Sequence, residues 1–148
     1  MAYKPHIKMQ MQLVSSGIAN MAYIEFDEKI LLLDNVRGTF IKKDEVVVDL
    51  SKVRKIEDGV KVRGLDIVTL NPNAIMKNSV QGKITDHDEK GYSKVDCENG
   101  NYAWVSDYYK KIFGAKARFY VQGPTLPLLV TDGRKKQIGI LLPTKVAK

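Results

Sequence analysis

The chain has 148 residues, 44% of them hydrophobic and 28% charged, with 24 Lys and Arg against 17 Asp and Glu for a net charge of +7. That is enough for one ordinary domain burying roughly two-thirds of its unfolded surface. No apolar stretch approaches the roughly 18 residues of a membrane span, and the single cysteine, Cys97, excludes an internal disulfide and a multi-cysteine zinc site.

The N-terminal "MAYKPHIKMQMQ" lacks the apolar core and small-residue site of a secretion signal. With the lone thiol, this points to a reducing interior: the cytoplasm of a bacterial cell or a virus-infected cell. From Ala22, "AYIEF" alternates at Ala22, Ile24 and Phe26, and "ILLLDN" reads as its hairpin partner across the polar "DEK". Arg37-Gly38 leads to the strand "TFI", the turn "KKDE" and the β-branched run "VVVDL" ending at Leu50. Ser51 is placed to cap one turn over "SKVRKI". "VKVRG" and "LDIVTL" follow as strands, and Asn73 to Asn78 reads as a helical turn or a loop. "QGKIT" and "YSKVDCE" then flank the polar turn "DHDEKG", with Cys97 as a half-buried strand thiol.

The main helix is expected in "NYAWVSDYYKKIFG". Trp104, Tyr108 and Ile112 recur every four residues beside Val105, Tyr109 and Phe113, an apolar stripe read as core packing rather than base stacking. Asp107 early, Lys110 and Lys111 late, and Gly114 just beyond suit the helix dipole and C-cap. Ser106 as N-cap is the alternative, giving a helix of two turns. "ARFYVQ" alternates as a strand, Gly123-Pro124 turns the chain, and "TLPLLVT" and "KKQIGILLP" flank Asp132-Gly133, a type I′ hairpin signal. Pro127 implies an edge strand or a bulge. The whole reads as α+β and strand-rich: a single domain over residues 1–148 with antiparallel sheets and one main helix.

Motifs for chemistry are weak. "DHDEKG" opens like a calcium loop, but Lys90 and Cys97 stand where oxygen ligands are needed. His6 and His87 have no partner at ligand spacing, no phosphate-cradling loop occurs, and no nucleophile motif is present. Paired carboxylates (Asp27-Glu28, Asp44-Glu45, Glu57-Asp58) fall in turns. The reading is a non-enzyme with no metal and no cofactor. Basic residues are dispersed (Lys42-Lys43, Lys52/Arg54/Lys55, Lys61/Arg63, Lys110-Lys111, Arg134/Lys135/Lys136), so a polyanion partner requires a folded face that gathers them.

From Gly91 onward, "GYSKVDCENGNYAWVSDYYKKIFGAKARFYVQGPTLPLLVTDGRKKQIGILLPTKV" resembles the last domain of bacterial-type DNA sliding clamps, the β processivity factors of replicative polymerases. "NYAWVSDYYKKIFG" stands for that family's helix, "RFYVQGPTLPLLV" for its strand and corner, and "ILLPTKV" for its Leu-Pro tail. Residues 73–148 carry the likeness, and 1–72 form a strand-rich half without a confident match. The resemblance implies a clamp-like domain serving DNA replication as a DNA-tracking or partner-binding platform.

By the same resemblance, short linear peptides of replication proteins would enter a groove built from Ile140, Leu142, Pro143, Thr144 and Lys145, with Leu126, Pro127 and Leu128 alongside. Lys110, Lys111 and Lys116 would face the double-stranded DNA backbone without sequence preference. The family's subunit carries three such domains, so a ring here needs about six copies as a homo-oligomer. Two other classes fit the residues: a small viral structural or assembly protein that self-associates, and a basic nucleic-acid-binding domain unrelated to clamps.

Overall fold

The computed structural model describes residues 5–15, 17–34, 36–57, 59–62, 65–114, 116–132 and 137–144. It is strand-rich α+β, built on a ten-stranded, mostly antiparallel sheet. The first half supplies α1 (Pro5–Ser15), β1 (Ala22–Phe26), β2 (Lys29–Leu33), β3 (Arg37–Lys42) and the short β4 (Arg54–Lys55). A separate two-stranded ribbon, β5 (Lys61–Val62) with β6 (Leu65–Asp66), precedes α2 (Pro72–Lys77). The second half is β7 (Val80–His87), β8 (Tyr92–Cys97), β9 (Tyr102–Ser106), α3 (Asp107–Lys110), β10 (Arg118–Val121), β11 (Leu128–Thr131) and β12 (Gln137–Leu141). Strand order is β4-β1-β2-β3-β12-β11-β10-β7-β8-β9, and β1 with β4 is its parallel pair.

β12 joins the halves. One edge pairs with β11, from Leu128 opposite Leu141 to Thr131 opposite Gln137. The other edge pairs first with β3, Gly139 opposite Thr39 and Leu141 opposite Arg37. The Leu142 N–H extends that ladder to Val36 O at 2.8 Å, and two residues later the Thr144 N–H reaches Trp104 O, also at 2.8 Å. Alternate N–H groups of an extended chain point to the same edge. The edge that leaves β3 is therefore the one that meets β9, and β7 to β12 close into a barrel-like ring through the Trp104–Thr144 bridge.

Both faces of the shared sheet are covered, which is why its central strands read as unbroken apolar runs. On one face Ile30, Leu32, Ile41, Leu128, Val130 and Leu141 pack with the ring interior (Val95, Ala103, Val105, Phe119, Val121) under Met9 and Leu13 of α1 and Ile112 and Phe113. On the other, Ile24, Leu31, Leu33, Phe40, Leu129 and Ile140 pack under Leu70 and Ile75. Gly139 makes the β3–β12 contact possible: a Cβ there would lie 2.3 Å from Gly38 O and 2.5 Å from Phe113 Cε1.

The hairpins β1–β2 and β7–β8, the strand β10 and the helical turn α2 fall where the residue patterns place them. Asn71 caps α2, accepting from Asn73 N. Other expectations are corrected. Tyr102–Ser106 is strand, not helix, and the alternative holds: Ser106 is the N-cap, accepting from Tyr109 N, of two turns formed by α3 and the 3-10 turn Lys111–Phe113. A repeat of four is a multiple of the strand period as well as close to the helical one, so Trp104 and Tyr108 satisfied both patterns. Among the described residues the longest helix is α1, which the residue pattern did not place.

Among the described residues "VVVDL" has no ladder partner. Its alternation is real, with Val46, Val48 and Leu50 turned to the core, but its backbone is held by the fully buried Gln10 side chain, which donates to Glu45 O at 3.1 Å and accepts from Val47 N at 2.8 Å. Asp49, not Ser51, caps the 3-10 turn Leu50–Lys52. Ser51's hydroxyl and N–H on the Asp49 carboxylate lower its pKa. Arg37-Gly38 lies inside β3, and "LDIVTL" is two strand residues followed by a 3-10 turn. Pro127 stands just before β11, whose two edges are both paired, and the bulge falls instead at Val130/Thr131. The Gly133 turn lies outside the described residues.

Gly139→Ala is expected to cost about 3 kcal/mol, because backbone and a buried ring must both shift; urea unfolding measures it, and a loss below about 0.5 kcal/mol would contradict the close β3–β12 approach. Gln10→Leu, of similar volume, should cost about 2 kcal/mol by orphaning two backbone groups. An unchanged denaturation midpoint would mean that the 45–47 segment is held by something else.

Candidate nucleic-acid interface

α1 and the 107–113 segment lie side by side on one face of the sheet: Met9 and Leu13 of α1 share a core with Ile112 and Phe113. Their exposed lysines are Lys8 on α1 and Lys111 on the segment, and Lys116, also exposed, follows three residues after it. α1 contains no acidic residue, and Asp107 is the one carboxylate from 107 to 118.

Asp107 is already occupied. Its Oδ1 accepts from the buried Ser93 hydroxyl and lies 3.4 Å from Lys110 Nζ. Ser93 Oγ also sits 2.8 Å from His87 Nδ1. With its proton directed at a carboxylate, the serine accepts from His87, which requires the Nδ1–H tautomer. A nucleophilic relay needs histidine between serine and carboxylate; here serine is in the middle and its hydroxyl is enclosed. The cluster ties β7, β8 and α3 together and draws Lys110 partly away from solvent ligands. Lys111 and Lys116 are exposed, and Lys8 joins them from a helix that sequence periodicity missed, since α1 buries only Met9, Gln10 and Leu13 among its described side chains.

The tail residues are divided. Leu128 and Ile140 are fully buried, Leu128 in the core beneath α1 and Ile140 in the core beneath α2, so neither lines an open groove. Pro127 is buried, its carbonyl accepting from Gln122 Nε2 at 2.8 Å. Leu126 is exposed, and Leu142, Pro143 and Thr144 are half-buried, with Thr144 engaged in the bridge to β9. Lys145 lies outside the described residues.

Beside the tail, Arg37 and Asp34 form a buried ion pair, Nε to Oδ2 3.5 Å. Asp34 Oδ1 accepts from the Val36 and Arg37 N–H groups at 2.9 Å each, and the Arg37 guanidinium lies 5.3 Å from the Tyr109 ring centre. This group fixes the end of β3 where the tail departs from it, and it tethers α3 to the same point.

Cys97 closes β8 and donates weakly to Val80 O at 3.3 Å. Burial first, then the Asp96 charge, push its thiol pKa up against a smaller opposing hydrogen bond from Val121. Among the described residues no group of three or more His, Cys, Asp or Glu side chains is placed to hold a metal ion, and no helix is long and apolar enough to cross a membrane. No family model, curated protein or solved structure matches the chain.

Because a raised pKa leaves less thiolate at a given pH, Cys97 should react with a thiol reagent at pH 8 more slowly than a free cysteine, and Asp96→Asn should speed it. Equal rates for the two proteins would remove Asp96 as a contributor.

Proposed function

We propose that this chain is a non-enzymatic, DNA-associated protein of the sliding-clamp type, a processivity factor or related platform that meets the duplex phosphate backbone through its helical face. The observation that carries this reading is the pairing of α1 with the 107–113 segment on one sheet face, with Lys8 and Lys111 exposed on them and Lys116 exposed just beyond, while the segment's one carboxylate is engaged by Ser93 and Lys110. Cations held on short, rigid elements suit phosphate contact that is independent of sequence and sensitive to salt. The sequence likeness of residues 91–146 to the clamp's last domain supports the same direction.

Partner capture would use the remaining apolar surface, Leu126 with Leu142 and Pro143, and the rest of the groove wall would come from another copy of the chain. Closure around a duplex requires self-association, since one copy presents one such face.

The test is binding of duplex DNA across a salt series, with scattering mass read on the same samples. Replacing Lys8, Lys111 and Lys116 by Glu should lower the slope of log affinity against log salt by about 0.9 for each phosphate that is no longer neutralised. Lys77→Glu, on α2 beneath the opposite sheet face, should leave it unchanged. An unaltered slope in the triple variant, or the same decrease in Lys77→Glu, would overturn the helical face as the DNA surface. A strict monomer at all concentrations would remove the self-made ring.

A further inference from the structure

The outward face of β8 and β9 carries a second arrangement that the helical face does not use. Ser93, Val95, Ala103 and Val105 point into the ring, so Tyr92, Lys94, Tyr102 and Trp104 point out of it. Lys94 is directly opposite Trp104 in the ladder, and its Nζ lies 5.0 Å from the centre of the Tyr102 ring. Tyr102 is 39% exposed and Trp104 half-buried. Asp96 shares the face but is engaged by the Thr85 hydroxyl and, at 3.5 Å, by Lys94 Nζ.

We propose that this face binds single-stranded nucleic acid, with successive bases stacked on Tyr102 and Trp104 and Lys94 between them contacting phosphate. The spacing suits a strand and not a duplex. Tyr102 and Trp104 are two residues apart along β9, about 6.8 Å, which is twice the 3.4 Å rise of stacked bases. A chain with its bases opened to that interval places one on each ring. The platform is also rigid, because the Trp104 carbonyl is held by the Thr144 N–H on one side of β9 and the β8 ladder runs along the other. An ammonium over the Tyr102 ring, with one contact to Asp96, retains donors for phosphate, and base–aromatic stacking is tolerant of sequence because every base has a π-face. The site involves none of the helical-face lysines and stands or falls apart from them.

Trp104 is the chain's one tryptophan, so its emission reports this face directly. An oligothymidylate of about twelve nucleotides, within the span of one such platform, should quench it saturably at low salt. Tyr102→Ala should weaken the quenching affinity about 5- to 150-fold, and Lys94→Gln should lower the salt slope by about 0.7. Both substitutions are at the surface, and unchanged far-UV dichroism and unliganded emission would show that the variants are folded. Absence of quenching, equal quenching by heparin or by blunt duplex, or wild-type affinity in both variants would each overturn the proposal. The Lys8/Lys111/Lys116→Glu protein should still be quenched by oligothymidylate, which separates failure here from failure of the duplex-binding reading.

Discussion

A single strand edge holds the two halves together. β12 gives one edge entirely to β11 and divides the other between β3 and, through Thr144, β9. The division needs a close crossing, supplied by Gly38 and Gly139, and a defined point of departure, supplied by the Asp34 turn and the buried Arg37 beneath Tyr109. A buried ion pair is weak evidence for net stability but a good device for specifying one arrangement. Here it marks where the tail stops following the first half and begins to close the second.

The closure explains the contrast between strands. β2 and β11 are buried on both faces because the sheet is covered on both sides, whereas β8 and β9 are buried only toward the ring interior and alternate cleanly. β7 pairs with β10 only through Val80, Gln81 and Gly82, so from Lys83 to His87 it is held by β8 on one edge alone, and Lys83, Asp86 and His87 keep the other edge polar. Two surfaces result: Lys8 on α1 with Lys111, Lys116 and the exposed Tyr108 on one, and Tyr92, Tyr102 and Trp104 with Lys94 on the outside of β8 and β9.

Much of the local structure was legible. Alternation placed β1 and β10, the polar turns placed the β1–β2 and β7–β8 hairpins, and the helical turn read for Asn73 to Asn78 overlaps α2. α1 was not legible, because its interior contacts are two apolar side chains and a glutamine, and a buried glutamine has no signature in a hydrophobic pattern. For the candidate sites, Lys111 and Lys116 were visible and Lys8 was not. Leu128 and Ile140 were drawn into a groove by their place in a motif, while their opposite-facing burial follows from strand parity within a sheet covered on both sides.

By itself the sequence determined the strand-rich α+β class, most turns, the net positive charge and the absence of a long apolar span, since each depends on composition or on patterns within a few residues. Tertiary structure alone decided that Tyr102–Ser106 is a strand, that "VVVDL" answers to Gln10, and that the final residues bridge to β9. The last two outcomes depend on partners 35 to 40 residues away and the first on the neighbouring strand β8, where a hydrogen bond or a buried edge overrides a local preference worth only a fraction of a kcal/mol per residue.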